Sequence, residues 1–360
     1  MTSNASSRPA GSASSATSLA QGASSRPSKR PRPRRIVAVT GAASYLGRNL
    51  VGLLEEDPSV SKIIVLDIQN PTTAGKKTRF YKIDLTQPAV DSRLSEIFGA
   101  EEVDVVVHLA FLSSPSTATA WAHELESVGT MHVLNACREK RISKFIMRSE
   151  TFLYGPHSAN PNFLTEKHPT LGIRNTSFLK DKIDAEKEAR KFAASNPHCC
   201  VSILRFAPIV GPTVHNYITK WLSRPLVPTV MGFDPLVQFV HEMDAVAALL
   251  LAIARDVPGT FNIAGEGVLP LSTAVKLTGR STLPMPEFVL RGAVAMLWAA
   301  GLVEAPSAFI SYLRHLCVAD GELAAVELGF RPAYTTREAV LDFGGAMRLR
   351  DARLLQEGQR

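Results

Sequence analysis

Acidic side chains are missing from the first 35 residues, which carry Arg8, Arg26, Lys29, Arg30, Arg32, Arg34 and Arg35. The rest of the 360-residue chain sets 33 basic against 33 acidic residues, so the net charge of +7 belongs to that first stretch. A formally neutral body gives no reason to expect a nucleic-acid-binding face. Cysteine is scarce as well. Cys137, Cys199, Cys200 and Cys317 have no Cys-x-x-Cys spacing, which fits four reduced thiols in a cytoplasmic protein and no metal site. Nor is there a run of roughly 18–20 uninterrupted apolar residues to span a membrane. The nearest, residues 292–303, is stopped by Glu304 and Pro306 and reads as a buried or lid helix. Residues 1–34 also have almost no large apolar side chains, which predicts a solvated, disordered basic tail. An organelle transit peptide would need leucines for an amphipathic helix, and they are nearly absent.

From Ile36 a regular rhythm begins. Apolar, β-rich runs at 36–40, 62–68, 104–111, 144–149 and 200–207 alternate with helical spacing, notably over 121–140 and 178–195. Strands apolar on both faces, alternating with helices, predict a doubly wound α/β fold, a Rossmann-like parallel sheet covered on both sides. After Pro212 prolines crowd the chain. The expected division is a nucleotide-binding domain at 35–212 and 236–264, a smaller C-terminal substrate lobe at 213–235 and 265–348, and a polar tail at 349–360.

The segment TGAASYLG (40–47) joins the first strand to the first helix, where backbone N–H groups can face a pyrophosphate. Gly41 and Gly47 hold two places of a Gly-x-x-Gly-x-x-Gly fingerprint, and Ser44 takes the middle one. Asp67 ends the second strand 20 residues beyond Gly47, the separation of a carboxylate that accepts hydrogen bonds from an adenosine ribose. Such a carboxylate would repel a 2′-phosphate and so favours NAD over NADP. Asp84 and Leu85 follow another strand, and Leu109 and Ala110 stand at the end of the fourth; His108 beside them reads as packed, because its strand is apolar.

Taken in order, VTGAASYLG, VLDI, IDL, VVVHLAF, VGTMHVLNAC, KFIMRSETFLYG, KDKIDAE, LRFAPIVGP, QFVHEMD and GTFNIAG resemble the extended short-chain dehydrogenase/reductase superfamily, in its nucleotide-sugar epimerase/dehydratase branch and atypical relatives. The resemblance runs from about residue 35 to 343. It implies that Gly41, Ser44, Tyr45, Leu46, Gly47, Asp67, Asp84, Leu85, Leu109 and Ala110 line NAD. Lys182 would reach the nicotinamide ribose, and Pro208 would lie near the nicotinamide. The implied partner is a small-molecule substrate, a nucleotide sugar or a similar hydroxyl or carbonyl compound. A homodimer is compatible with the family.

Chemistry in this family rests on a tyrosine four residues before the lysine, whose pKa the nearby cation lowers so that it can take a substrate proton. Here Phe178 stands in that place. Aligning back from Tyr154-Gly155 puts Glu150 at the usual serine position, with Ser149 or Thr151 one residue away, and Glu126 replaces the family's asparagine. Lys182, with Ser149 or Thr151 on the substrate oxygen and Tyr154 or water moving the proton, is the expected catalytic set of an oxidoreductase. A non-catalytic NAD-binding regulatory protein is the alternative.

Overall fold

The computed structural model describes residues 34–357, so the expected basic tail lies outside the described residues but for Arg34. The described chain forms one compact unit. Strands β1 (Arg35–Thr40), β2 (Val60–Asp67), β3 (Thr78–Lys82), β4 (Val105–His108), β5 (Lys144–Glu150), β6 (Cys200–Phe206) and β11 (Gly259–Ile263) make one sheet, parallel throughout, in the order β11-β6-β5-β4-β1-β2-β3. The order reverses direction at β1, which has β2 on one side and β4 on the other. In open sheets of this kind ligands bind at that switch point, beyond the carboxyl ends of the strands.

Alternation along each strand explains why both faces are covered. Val37 and Val39 point into one core with Leu46, Leu50 and Leu54 of α1 (Tyr45–Glu56) and the Ala- and Leu-rich face of α7 (Glu242–Ala254). Ala38 points into the other, with α2 (Val90–Ala100), α4 (Gly129–Glu139) and α5 (Ser177–Ser195). Each Leu or Val sealed there contributes about 1.5–3 kcal/mol through removal of apolar surface from water. The expected helix at 121–140 is broken in register: α3 (Thr119–His123) passes into a π-helical turn, Glu124–Val128, before α4. A π-turn inserted in a helix often marks a functional site, and Glu126 sits in this one.

Beyond β6 the chain builds three small two-stranded sheets: β7 (Ile209–Val210) with β10 (Val240–His241), β8 (Leu226–Val230) with β13 (Ser281–Met285), and β9 (Leu236–Val237) with β12 (Leu269–Pro270). They are bridged by α6 (Tyr217–Leu222), α8 (Leu271–Leu277) and α9 (Glu287–Ala299), and by a 3-10 segment, Ser307–Leu313. Where the sequence suggests a polar tail from 349, α10 (Thr336–Glu357) continues as helix. Among the described residues, no helix is long and apolar enough to cross a membrane.

Candidate active site

At the end of β1 the backbone of Gly41 turns with φ +67°, and a Cβ there would come within 2.6 Å of the Leu109 and Ala110 backbone. A Cβ on Gly47 would strike the Gly41 carbonyl at 2.5 Å. Both glycines are therefore required by contact, and together they leave a bare backbone cradle beside the N-terminus of α1. Ser44 fits because its φ is −63°, open to any residue. Its hydroxyl donates to the Gly41 carbonyl (2.7 Å) and accepts the Gly47 N–H (3.1 Å), so it is the N-cap of α1. Loss of such a cap costs about 1 kcal/mol for Ala but only a few tenths for Gly. Ser44→Ala is accordingly expected to lower stability by about that much in denaturant titration, and Ser44→Gly to stay near wild type.

The Asp67 carboxylate accepts the Ala43 N–H (2.9 Å) and, more weakly, the Gln69 N–H (3.3 Å), which fixes it beside the same loop. Asp84 is turned into a local loop, where the Thr86 N–H (3.0 Å) and hydroxyl (2.7 Å) hold its pKa below the usual carboxylate value. Leu85 and Leu109 are buried, while Ala110 stays partly open next to Gly41.

His108 ties the switch point to the π-turn. Thr130 donates its hydroxyl proton to the Glu126 carbonyl, so it can only accept from His108 Nε2 (3.0 Å). His108 Nδ1 then accepts from Thr40 Oγ1 (2.7 Å), which fixes a neutral imidazole with its proton on Nε2. Complete burial pushes its pKa down from 6.5 to about 3. A histidine whose pKa is lowered on folding contributes stability above its unfolded pKa and loses it as pH falls toward the folded one. Stability should thus fall below pH 6.5 by up to about 1.4 kcal/mol per unit from this group. His108→Gln is expected to flatten that acid limb in pH-dependent denaturation.

Lys182, on α5, is buried at the centre of the site. Its ammonium donates to Glu126 Oε1 (2.7 Å) and the Leu112 carbonyl (3.0 Å), and stands 3.7 Å from Glu150 Oε1. It also lies 4.4 Å above the Phe178 ring and 5.2 Å from that of Phe111. Glu126 accepts the Leu112 N–H through the same oxygen (2.7 Å), and its Oε2 is buried with no partner. Burial raises the Glu126 pKa, opposed by the Lys182 charge. Phe178 itself packs among Leu153, Leu179, Phe309 and Tyr312.

A second buried network takes up other residues expected at the site. Ser149 donates to Glu186, which also forms a bidentate pair with Arg205 (2.9 and 2.7 Å). Arg205 in turn donates to the Tyr154 hydroxyl (2.8 Å), and that hydroxyl donates to Asn262 Oδ1 (2.8 Å). Burial, the leading influence, raises the Tyr154 pKa. Thr151 is buried at the start of the short turn Thr151–Tyr154, its carbonyl facing the Cys317 thiol (3.5 Å). Ser149 and Tyr154 thus join a strand–helix brace.

What faces the open space is different. A small pocket at the carboxyl end of β5 and β6 sets the polar groups of Tyr45, Ser113, Arg148, Glu150, Asn216 and Tyr217 beside apolar Phe152, Phe206, Pro208 and Ile218. Arg148 pairs with Glu150 at 3.2 Å and donates to the Phe111 carbonyl at 3.3 Å, leaving its buried Nε unpartnered. The hydroxyls of Tyr45 and Tyr217 are likewise buried without partners, and burial raises both pKa values well above the ordinary one. Sequence reasoning noted Glu126 and Glu150 only as departures and passed over Arg148 and Tyr217. Strand parity carried a signal: Arg148 and Glu150 are two apart and share a face, opposite to Ser149.

A family model described as NAD dependent epimerase/dehydratase family matches residues 37–264. Rv0501, an uncharacterized protein of Mycobacterium tuberculosis, is 32% identical over 323 residues, covering 88% of this chain and 85% of that protein. YtcB of Bacillus subtilis, named an uncharacterized UDP-glucose epimerase, is 27% identical over 64% of this chain and 76% of its own length. Among solved structures, the Thermotoga maritima UDP-glucose 4-epimerase with UDP-glucose superposes with a TM-score of 0.67 at 20% identity, covering 88% and 99% of the two chains. The Streptomyces venezuelae dTDP-glucose 4,6-dehydratase DesIV, with NAD and TYD bound, gives 0.68 at 19% identity over 88% and 98%.

Proposed function

Since this chain belongs to the NAD-dependent epimerase/dehydratase family and NAD is its cofactor, we propose that it is an oxidoreductase of a hydroxyl or carbonyl substrate in which Phe178 replaces the family's tyrosine and Glu150 takes the proton. The carrying observation is the position of Glu150. Its carboxylate is on the pocket wall, 3.2 Å from Arg148 and 3.7 Å from the Lys182 ammonium, at the place where the family's serine falls by sequence.

The residues suit the cofactor. The cradle between Gly41 and Gly47 is one that a Cβ would fill, and the Asp67 carboxylate is fixed beside it for ribose hydroxyls. Exchange of Asp67 for serine is expected to remove the repulsion of a 2′-phosphate and shift the NADP-to-NAD affinity ratio upward by about tenfold or more, read by fluorescence titration. When bound, NAD supplies the acceptor and donor of hydride. Glu150 accepts the proton of the substrate hydroxyl as oxidation proceeds and returns it on reduction. The buried phenols of Tyr45 and Tyr217 stay protonated and offer hydrogen bonds to the same oxygen. Lys182 and Arg148 hold the carboxylate in place, and Phe152, Tyr217 and Ile218 limit water.

One observation favours the second reading, a non-catalytic NAD-binding protein: Glu126 and the Leu112 carbonyl already occupy the Lys182 ammonium. Turnover decides between them. NAD-loaded protein is assayed with nucleotide sugars, the class bound by the Thermotoga neighbour, and with uncharged secondary alcohols. Glu150-dependent turnover, read as NAD reduction with the alcohols and as product formation with the nucleotide sugars, supports the enzyme, and its absence across both panels supports the binding protein.

A further inference from the structure

The polar pocket does not stand alone. Phe152, Pro208, Tyr217 and Ile218 form a common wall between it and a much larger cavity of about 290 Å³ in the C-terminal part of the chain. That cavity is lined by α6, α9, β9 and the 3-10 segment, and its wall is built almost wholly from aliphatic and aromatic side chains, among them Trp221, Ala293, Leu297, Val303 and Phe309.

Most polar groups on this wall are already engaged. Gln238 accepts the Ala319 N–H (3.0 Å), Tyr312 donates to the Phe152 carbonyl (2.5 Å), and Glu304 pairs with Lys220 (2.9 Å). His315 is held below its ordinary pKa, by burial first and by Arg314 second, and so offers no added positive charge. Arg224 is the single lining cation for which the described residues provide no acidic partner. A nucleoside diphosphate would bring two phosphates, a base and a ribose, all needing donors or acceptors. One guanidinium falls far short of that. An apolar body gains from this wall at every contact, by roughly 25 cal/mol for each Å² removed from water.

We propose that the substrate is an uncharged, largely hydrocarbon secondary alcohol or ketone, its chain or ring in the apolar cavity and its oxygen at the polar pocket. This rests on the oxidoreductase reading for its chemistry, though not for its binding. Oxidation moves the carbinol hydrogen with its electron pair to NAD, and the hydroxyl proton goes to Glu150. The products are ketone and NADH; reduction is the reverse. Phe288, Met296 and Leu302, exposed on and just beyond α9, make the outer side of the cavity's roof apolar too.

The test uses full-length, NAD-loaded protein and three probes: 2-decanone, 2-decanol and UDP-glucose. Binding is read by quenching of Trp221, with Trp221→Phe locating the signal. The ketone and alcohol are expected to bind and UDP-glucose to bind about tenfold more weakly or not at all. Ala293→Trp and Val303→Trp fill the cavity from different walls. Each should weaken 2-decanone by about tenfold while NAD affinity stays unchanged. Two variants keep the result readable if one fails to fold. Tighter binding of UDP-glucose, or decanone binding untouched by both fillings, would overturn the assignment. Binding of 2-decanone and 2-decanol with no NAD reduction by 2-decanol would leave the cavity assignment standing and sink the oxidoreductase reading. Turnover of UDP-glucose that depends on Glu150, without decanone binding, would do the reverse.

Discussion

Lys182→Met is expected to destabilise the protein by about 3–5 kcal/mol, the usual cost of removing one partner from a buried ion pair. The ammonium and the Glu126 carboxylate are both essentially sealed from water at 2.7 Å, and Glu126 Oε2 has no other partner. Without the lysine, the carboxylate is left with the Leu112 N–H alone. It must then carry its charge uncompensated or take up a proton. Its pKa, already raised by burial, rises further when the opposing cation goes. A carboxyl whose pKa is raised on folding is stabilising below its unfolded pKa, and that stability is lost as pH climbs through the folded one. The deficit of the variant should therefore shrink on acidification from neutrality. Adding Glu126→Leu should restore most of the loss, because an apolar pair of similar volume pays no desolvation penalty. Equal stability of wild type and Lys182→Met in urea would show that the pair is not formed as described.

Glu150→Gln is expected to lower kcat by about a hundredfold or more, within the range general acid–base groups supply, with NAD affinity little changed. The amide keeps the shape and a hydrogen bond to Arg148 but cannot accept a proton. A structural role alone would move stability and leave the pH profile in place. Loss of the proton acceptor would instead remove the acid limb of the pH–rate profile. Retained kcat in Glu150→Gln would assign the proton to another group.

Much of this was legible in the chain itself. Strand–helix alternation and the glycines at 41 and 47 reflect constraints local in sequence, so the parallel sheet and the loop at its switch point could be read directly. Lys182 and Phe178 were legible for the same reason, being one helical turn apart. The partners of Ser149 and Tyr154 were not. Their hydroxyls are directed by Glu186, Arg205 and Asn262, and the Tyr154–Asn262 bond joins residues 108 apart. Nor could sequence reveal that Glu126 reaches Lys182, since a π-turn shifts the register of its helix. The apolar cavity is assembled from α6, α9 and the 307–313 segment, three elements whose meeting no local pattern announces.

The Lys182 ammonium lies over the face of the Phe178 ring and is already paired with Glu126. A hydroxyl added at the edge of that ring would not find a free cation to lower its pKa. The most direct measurement is NADH formation in wild type, Glu150→Gln and Phe178→Tyr, followed side by side by absorbance with 2-decanol and with UDP-glucose. The expected result is NADH from 2-decanol and little or none from UDP-glucose in wild type, loss of about a hundredfold in Glu150→Gln, and no gain in Phe178→Tyr. Turnover that appears only when the tyrosine is supplied would contradict it, and would make the natural chain a binding protein.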